Sequence, residues 1–96
     1  MSYKLKFLPT ALKEWKKLGP TVRDQFKKKL EERLDKPVVE SDKLRGAENC
    51  YKIKLRSSGY RLVYEVEKKN VVIYLIAVGK RNNNWVYKTA KNRRRK

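Results

Sequence analysis

Apolar and polar residues alternate at the start of the chain. Tyr3, Leu5 and Phe7 interleave with Ser2, Lys4 and Lys6, and a period of two predicts a strand. Leu8-Pro9-Thr10 breaks it and opens a helix. Ala11, Leu12, Trp15 and Leu18 share one face of that helix, with Lys13, Glu14, Lys16 and Lys17 mostly outside it. Gly19 offers a C-terminal stop, because glycine tolerates positive φ. Pro20 suits the first turn of a second helix, where its missing N–H is not needed. Val22, Phe26, Leu30 and Leu34 repeat every four residues, and Lys36-Pro37 ends the pattern, since the residue before proline avoids helical geometry. So short a connection predicts an antiparallel helical hairpin.

Residues 38–49 read as a loop, polar apart from Val38, Val39, Leu44 and Ala47. Tyr51, Ile53 and Leu55 then alternate with Lys52, Lys54 and Arg56, giving a strand with one apolar and one cationic face. Ser57-Ser58-Gly59 is a turn signal. A second strand places Tyr60, Leu62, Tyr64 and Val66 between Arg61, Val63 and Glu65, and Lys68-Lys69-Asn70 turns the chain again. Residues 71–78 are continuously apolar, which predicts burial on both faces. Asn82, Asn83 or Asn84 can cap a last helix beginning near Trp85. The predicted fold is α+β: strand, helical hairpin, three-stranded antiparallel meander, short C-terminal helix, with the helices packed on one sheet face.

A chain of 96 residues holds one core, so residues 1–96 form one domain with a basic tail at 91–96. Charge changes the picture most. Lys and Arg number 27 against 10 acidic residues, a formal net charge of +17. Such a domain attracts polyanions. Nucleic acid ranks first as partner, an anionic membrane surface second, an acidic protein third. No apolar run approaches the ~20 residues that span a bilayer, and Lys4 and Lys6 interrupt the N-terminus, which therefore lacks the pattern of a signal peptide. One cysteine, Cys50, excludes an internal disulfide framework and fits a reducing, cytoplasmic setting. With no histidine there is no zinc site of ordinary composition and no imidazole acid–base pair; any catalysis falls to Lys, Arg, Tyr, Asp or Glu.

A loop at Ser58-Gly59, or one spanning residues 57–60, sets Arg56 opposite Arg61, Lys54 opposite Val63 and Lys52 opposite Glu65. Lys52, Lys54, Arg56 and Arg61 then share one open face, with Lys52 and Lys54 roughly 7 Å apart. Like charges opposed across a ladder are unfavourable, so the cluster points to phosphate binding; any one lysine alone would be an ordinary solvated residue. Val78-Gly79-Lys80-Arg81 adds two cations, with Gly79 read as a bulge or as a turn that lets Arg81 reach the cationic face. Taken alone, Tyr87 reads as a packing aromatic and Trp85 as core or interface before a base-stacking platform.

The run from Cys50 to Tyr64, CYKIKLRSSGYRLVY, resembles the core block of RelE toxins. Lys43-Leu44-Arg45-Gly46 before it and Val78-Gly79-Lys80-Arg81 after it stand at that family's spacing, and Ala11-Leu12-Lys13-Glu14-Trp15 with Lys17-Leu18-Gly19 resembles its first helix. The likeness covers residues 3–87. Asn82-Asn83-Asn84-Trp85, where the family often carries charge, and the basic tail depart from it. The resemblance implies a small microbial-RNase-like domain and a ribosome-dependent endoribonuclease that cuts mRNA in the ribosomal A site, with no metal or other cofactor. It implies 2′-OH attack, a 2′,3′-cyclic phosphate and a 5′-hydroxyl end. By the same resemblance Lys52, Lys54 and Arg61 hold the scissile phosphate, Arg81 serves the leaving group, Tyr87 or Lys54 is the base, and Arg45, Arg56 and Lys80 contact RNA. The implied partners are the ribosome with its mRNA, a RelB-like antitoxin, and operator DNA through the antitoxin complex. A noncatalytic RNA- or ribosome-binding inhibitor, and a regulatory subunit acting only through antitoxin and operator, are the competing readings.

Overall fold

The order of elements follows the pattern closely. In the computed structural model, which describes residues 2–80 and 85–93, they are β1 (Lys4–Phe7), α1 (Pro9–Lys16), α2 (Pro20–Asp35), a 3-10 turn (Glu40–Asp42), β2 (Cys50–Leu55), β3 (Tyr60–Glu67), β4 (Val72–Lys80) and α3 (Trp85–Arg93). Pro9 and Pro20 each occupy a first helical turn, where proline's fixed φ is already helical. Gly19 departs from expectation. It has φ −64° and ψ 156° and forms the N-cap of α2, not a left-handed stop for α1. The proline that follows requires this extended geometry.

The sheet order is β1-β4-β3-β2, with β1 parallel to β4 and the other pairs antiparallel. The hairpin of α1 and α2 covers one face. Ala11, Trp15, Leu18, Phe26 and Leu30 pack there on Tyr51, Ile53, Leu55, Leu62, Tyr64, Ile73, Leu75 and Val78. Trp15 lies between Phe7 and Phe26, with ring centroids at 5.6 and 6.4 Å. Arg33 of α2 ties this layer together. It donates to the Tyr64 hydroxyl (2.8 Å) and pairs with Asp42, while Tyr64 donates to the Pro37 carbonyl (2.7 Å).

The third helix lies on the opposite face, so the helices are divided between the two sides. Val86 and Ala90 pack on Val63, Ile76, Ala77, Cys50, Leu44 and Ala47. A bulge explains why β4 is apolar on both sides. Val63 pairs with Ala77 but Tyr64 with Leu75, so Ile76 is the extra residue, and both Ile76 and Ala77 turn toward α3. Val71, expected to begin this strand, stands in the preceding turn at φ 58°, where its carbonyl accepts the Lys4 N–H at 2.9 Å.

Candidate RNA-binding and active site

The turn between β2 and β3 sets the register of the cationic residues. It spans residues 56–59; Gly59 takes φ 76° and its N–H closes onto the Leu55 carbonyl at 2.8 Å. Leu55 therefore pairs with Tyr60, Lys54 with Arg61, Lys52 with Val63 and Cys50 with Glu65. This is two residues from the expected register. The turn has four residues, like the longer of the two expected loops, but begins one residue earlier, because Arg56 belongs to it and Tyr60 to β3. A shift of two preserves the face of every side chain, so Lys52, Lys54 and Arg61 still share the side away from the helical hairpin, and Lys54 now opposes Arg61 directly.

The next pairing extends this row. Arg61 opposes Gly79 on β4, and Lys52–Val63–Ala77 forms a parallel row one pleat away. Arg61 donates to the Tyr60 carbonyl at 3.1 Å. The crowding of cations has an electrostatic signature. The Lys52 ammonium first, then loss of water, then Arg61 and Arg56 hold Lys54 below the ordinary lysine pKa, with Asp42 acting in the other direction.

Tyr87 arrives from α3. It is half-buried, and the Lys52 ammonium stands 5.9 Å from its ring centroid, within cation–π range. The loop before β2 closes the other wall: Lys43 bridges to Tyr51, and the Leu44 N–H bonds the Cys50 carbonyl at 2.8 Å. Between loop and helix lies a groove of about 520 Å³ lined by Lys43, Leu44, Arg45, Lys52, Tyr87, Lys88 and Lys91. Arg45 thus joins the site.

The remaining candidates are placed differently. Arg56 is exposed in the turn and, with Lys54, lines a second groove of about 590 Å³ against Lys28 and Lys29 of α2. Lys80 is exposed and opposes Tyr60, whose ring packs in the hairpin-side core, so the register puts Lys80 on that side of the sheet. Arg81 and the three asparagines lie outside the described residues, as do residues 94–96. Trp85, expected in core or interface, is 42% exposed.

The family model for the ParE toxin of type II toxin–antitoxin systems matches residues 5–85. The mRNA interferase toxin RelE of Escherichia coli K12 is 59% identical over 97% of this chain and 98% of its own. The chain belongs to the RelE family of toxins. An arginine-to-alanine double variant of E. coli toxin RelE in the free state superposes with a TM-score of 0.89 at 58% identity, covering 97% of this chain and 98% of that one. The toxin of the intact E. coli RelBE toxin–antitoxin complex gives 0.82 at 60% identity, over 84% and 99%.

Three features of this RelE-family toxin escaped the pattern reading. Lys88 and Lys91 join the groove beside Tyr87; their i, i+3 spacing on a helix carrying Tyr87 was the available signal. The basic terminal segment is not a tail from residue 91, because α3 continues through Arg93. Arg93 grips Glu14 of α1 with two bonds of 2.9 Å, and Glu14 also accepts the Val78 N–H (3.2 Å) while Arg93 donates to the Ile76 carbonyl (3.3 Å). This pair caps the edge of β4 beyond the end of β1 and pins the end of α3, although its members are 79 residues apart.

Proposed function

We propose that this chain is a type II toxin that cleaves mRNA in the ribosomal A site and so arrests translation, and that a RelB-like antitoxin restrains it. The reading rests on one observation: Lys52, Lys54 and Arg61 share an open sheet face with Tyr87 at its margin, in a chain 59% identical to an mRNA interferase. Lys52 and Arg61 bind the scissile phosphate and stabilise the charge that builds on the phosphorane. Lys54 accepts the 2′-OH proton, since its lowered pKa leaves more neutral amine near pH 7 than an ordinary lysine has. The 2′-oxygen forms a bond to phosphorus, the bond to the 5′-oxygen breaks, and that oxygen leaves with a proton whose delivery is assigned to Arg81. The products are a 2′,3′-cyclic phosphate and a 5′-hydroxyl end. Tyr87 beside Lys52 orients the ribose and is the alternative base. Arg45, with Lys43, Lys88 and Lys91, holds flanking phosphates; Arg56 and Lys80 contact RNA further out.

The toxin acts where ribosomes are, in the cytoplasm. Among the described residues no helix is long and apolar enough to cross a membrane. With its antitoxin it represses its own operon, meeting operator DNA only through that complex. Induction in bacteria, followed by mapping of messenger 5′-ends, tests the reading. Growth arrest with codon-phased cuts, abolished by Lys54→Ala, is the expected result. Arrest without cuts would favour a noncatalytic ribosome-binding inhibitor.

A further inference from the structure

Trp85 occupies a place that neither the core nor the helix explains. It is the first residue of α3 and is 42% exposed, an unusual state for an indole in so small a domain. The ring rests on Gly79: a Cβ built there would lie 3.0 Å from Cζ3 and 3.5 Å from Cε3 of Trp85. Gly79 does not take a left-handed φ and is not the bulge of β4. What requires glycine is the approach of this ring. The residue across the ladder from Gly79 is Arg61, and across from Arg61 is Lys54. The indole therefore ends a lateral row of Lys54, Arg61 and Gly79, with neighbouring strands ~4.8 Å apart. Tyr87 stands at the neighbouring row beside Lys52.

We propose that Trp85 is a base-stacking residue of this toxin, receiving the face of a nucleobase adjacent to the phosphate held by Arg61. The inference rests on the ribonuclease reading of that row and extends it to a contact with the base. A cationic row beside an exposed aromatic is the composition of single-stranded nucleic acid sites, where charge tracks the backbone and a ring holds each base. An acidic protein would use the same cations but has no need of a planar π-face. Because every base has such a face, the contact adds affinity with modest base preference.

The test uses the full chain and two uncleavable 2′-O-methyl oligonucleotides of equal length, one carrying bases and one abasic. Trp85→Ala should weaken binding of the base-carrying strand about tenfold, and Trp85→Phe should restore most of it. Binding of the abasic strand, and the dependence of affinity on salt, should not change, because no phosphate contact is lost. Equal affinity of native and Trp85→Ala protein for the base-carrying strand overturns the proposal. So does an equal loss on both strands, which would make Trp85 only a prop for α3. Cleavage of programmed ribosomes by the native chain is scored separately. Native cleavage without a Trp85 effect removes stacking and leaves the nuclease, whereas a Trp85 effect without native cleavage does the reverse.

Discussion

The two faces of this sheet treat cations in opposite ways. On the hairpin side Arg33 is partly buried and its charge is answered by Asp42, by the Tyr64 hydroxyl and by the Tyr64 ring at 5.7 Å. A charge out of water costs several kcal/mol unless it is paired in this manner. On the α3 side Lys52, Lys54 and Arg61 press against one another, and Lys54 loses basicity as a result. The first arrangement stabilises the fold. The second opposes it slightly, which supports the proposal that a phosphate completes it.

The largest expected effect sharpens that contrast. Tyr87→Phe or Arg81→Ala should lower single-turnover cleavage on programmed ribosomes about a hundredfold or more with little change in thermal stability. Unchanged rates in both would remove these two side chains from the chemistry. Arg33→Ala should do the opposite, costing about 2–3 kcal/mol of unfolding free energy in urea melts while the rate per folded molecule stays within about twofold. A loss of rate without a loss of stability would erase the distinction between the faces.

Lys52→Ala tests the coupling inside the cationic row. It removes the main cause of the lowered Lys54 pKa, so that pKa should rise toward the ordinary lysine value. Since the base works as the neutral amine, the ascending limb of the pH–rate profile should move to higher pH. An unmoved limb with a lower plateau would mean that Lys52 only binds phosphate. Smaller still is Arg93→Lys, which keeps the charge but loses the two-pronged grip on Glu14. About 1 kcal/mol of stability and up to tenfold in rate should go, with the loss in rate absent in a Tyr87→Phe background. Removing residues 94–96 should act least, reducing the salt slope of RNA binding and leaving the saturated rate alone.

Legibility in the sequence followed the range of each interaction. Periodicity located β1, α1, α2, β2 and β3, because burial imposes period two or 3.6 directly on neighbouring residues, while an unbroken apolar run marked β4 and the asparagines before Trp85 marked the start of α3. The faces of Lys52, Lys54 and Arg61 were readable for the same reason, and survived a register that was two residues off. The register itself depended on Arg56 joining the turn, which no pattern of polarity announces. The parallel docking of β1 on β4, the crossing of α3 to the second face and the Glu14–Arg93 pair join segments distant in sequence. No local signal carries them. Of the two places expected for Trp85, the core is excluded by its exposure, and the glycine across from Arg61 shows where the ring meets the sheet.

The sharpest test of the central claim is the cleavage rate of Lys54→Ala at saturating toxin on ribosomes with a defined codon in the A site, with the 3′ ends of the fragments analysed. The account predicts a fall of about a hundredfold or more at unchanged binding, with residual product still ending in a cyclic phosphate. A native rate at saturation, with only the affinity reduced, would contradict it and leave the cationic row a docking surface.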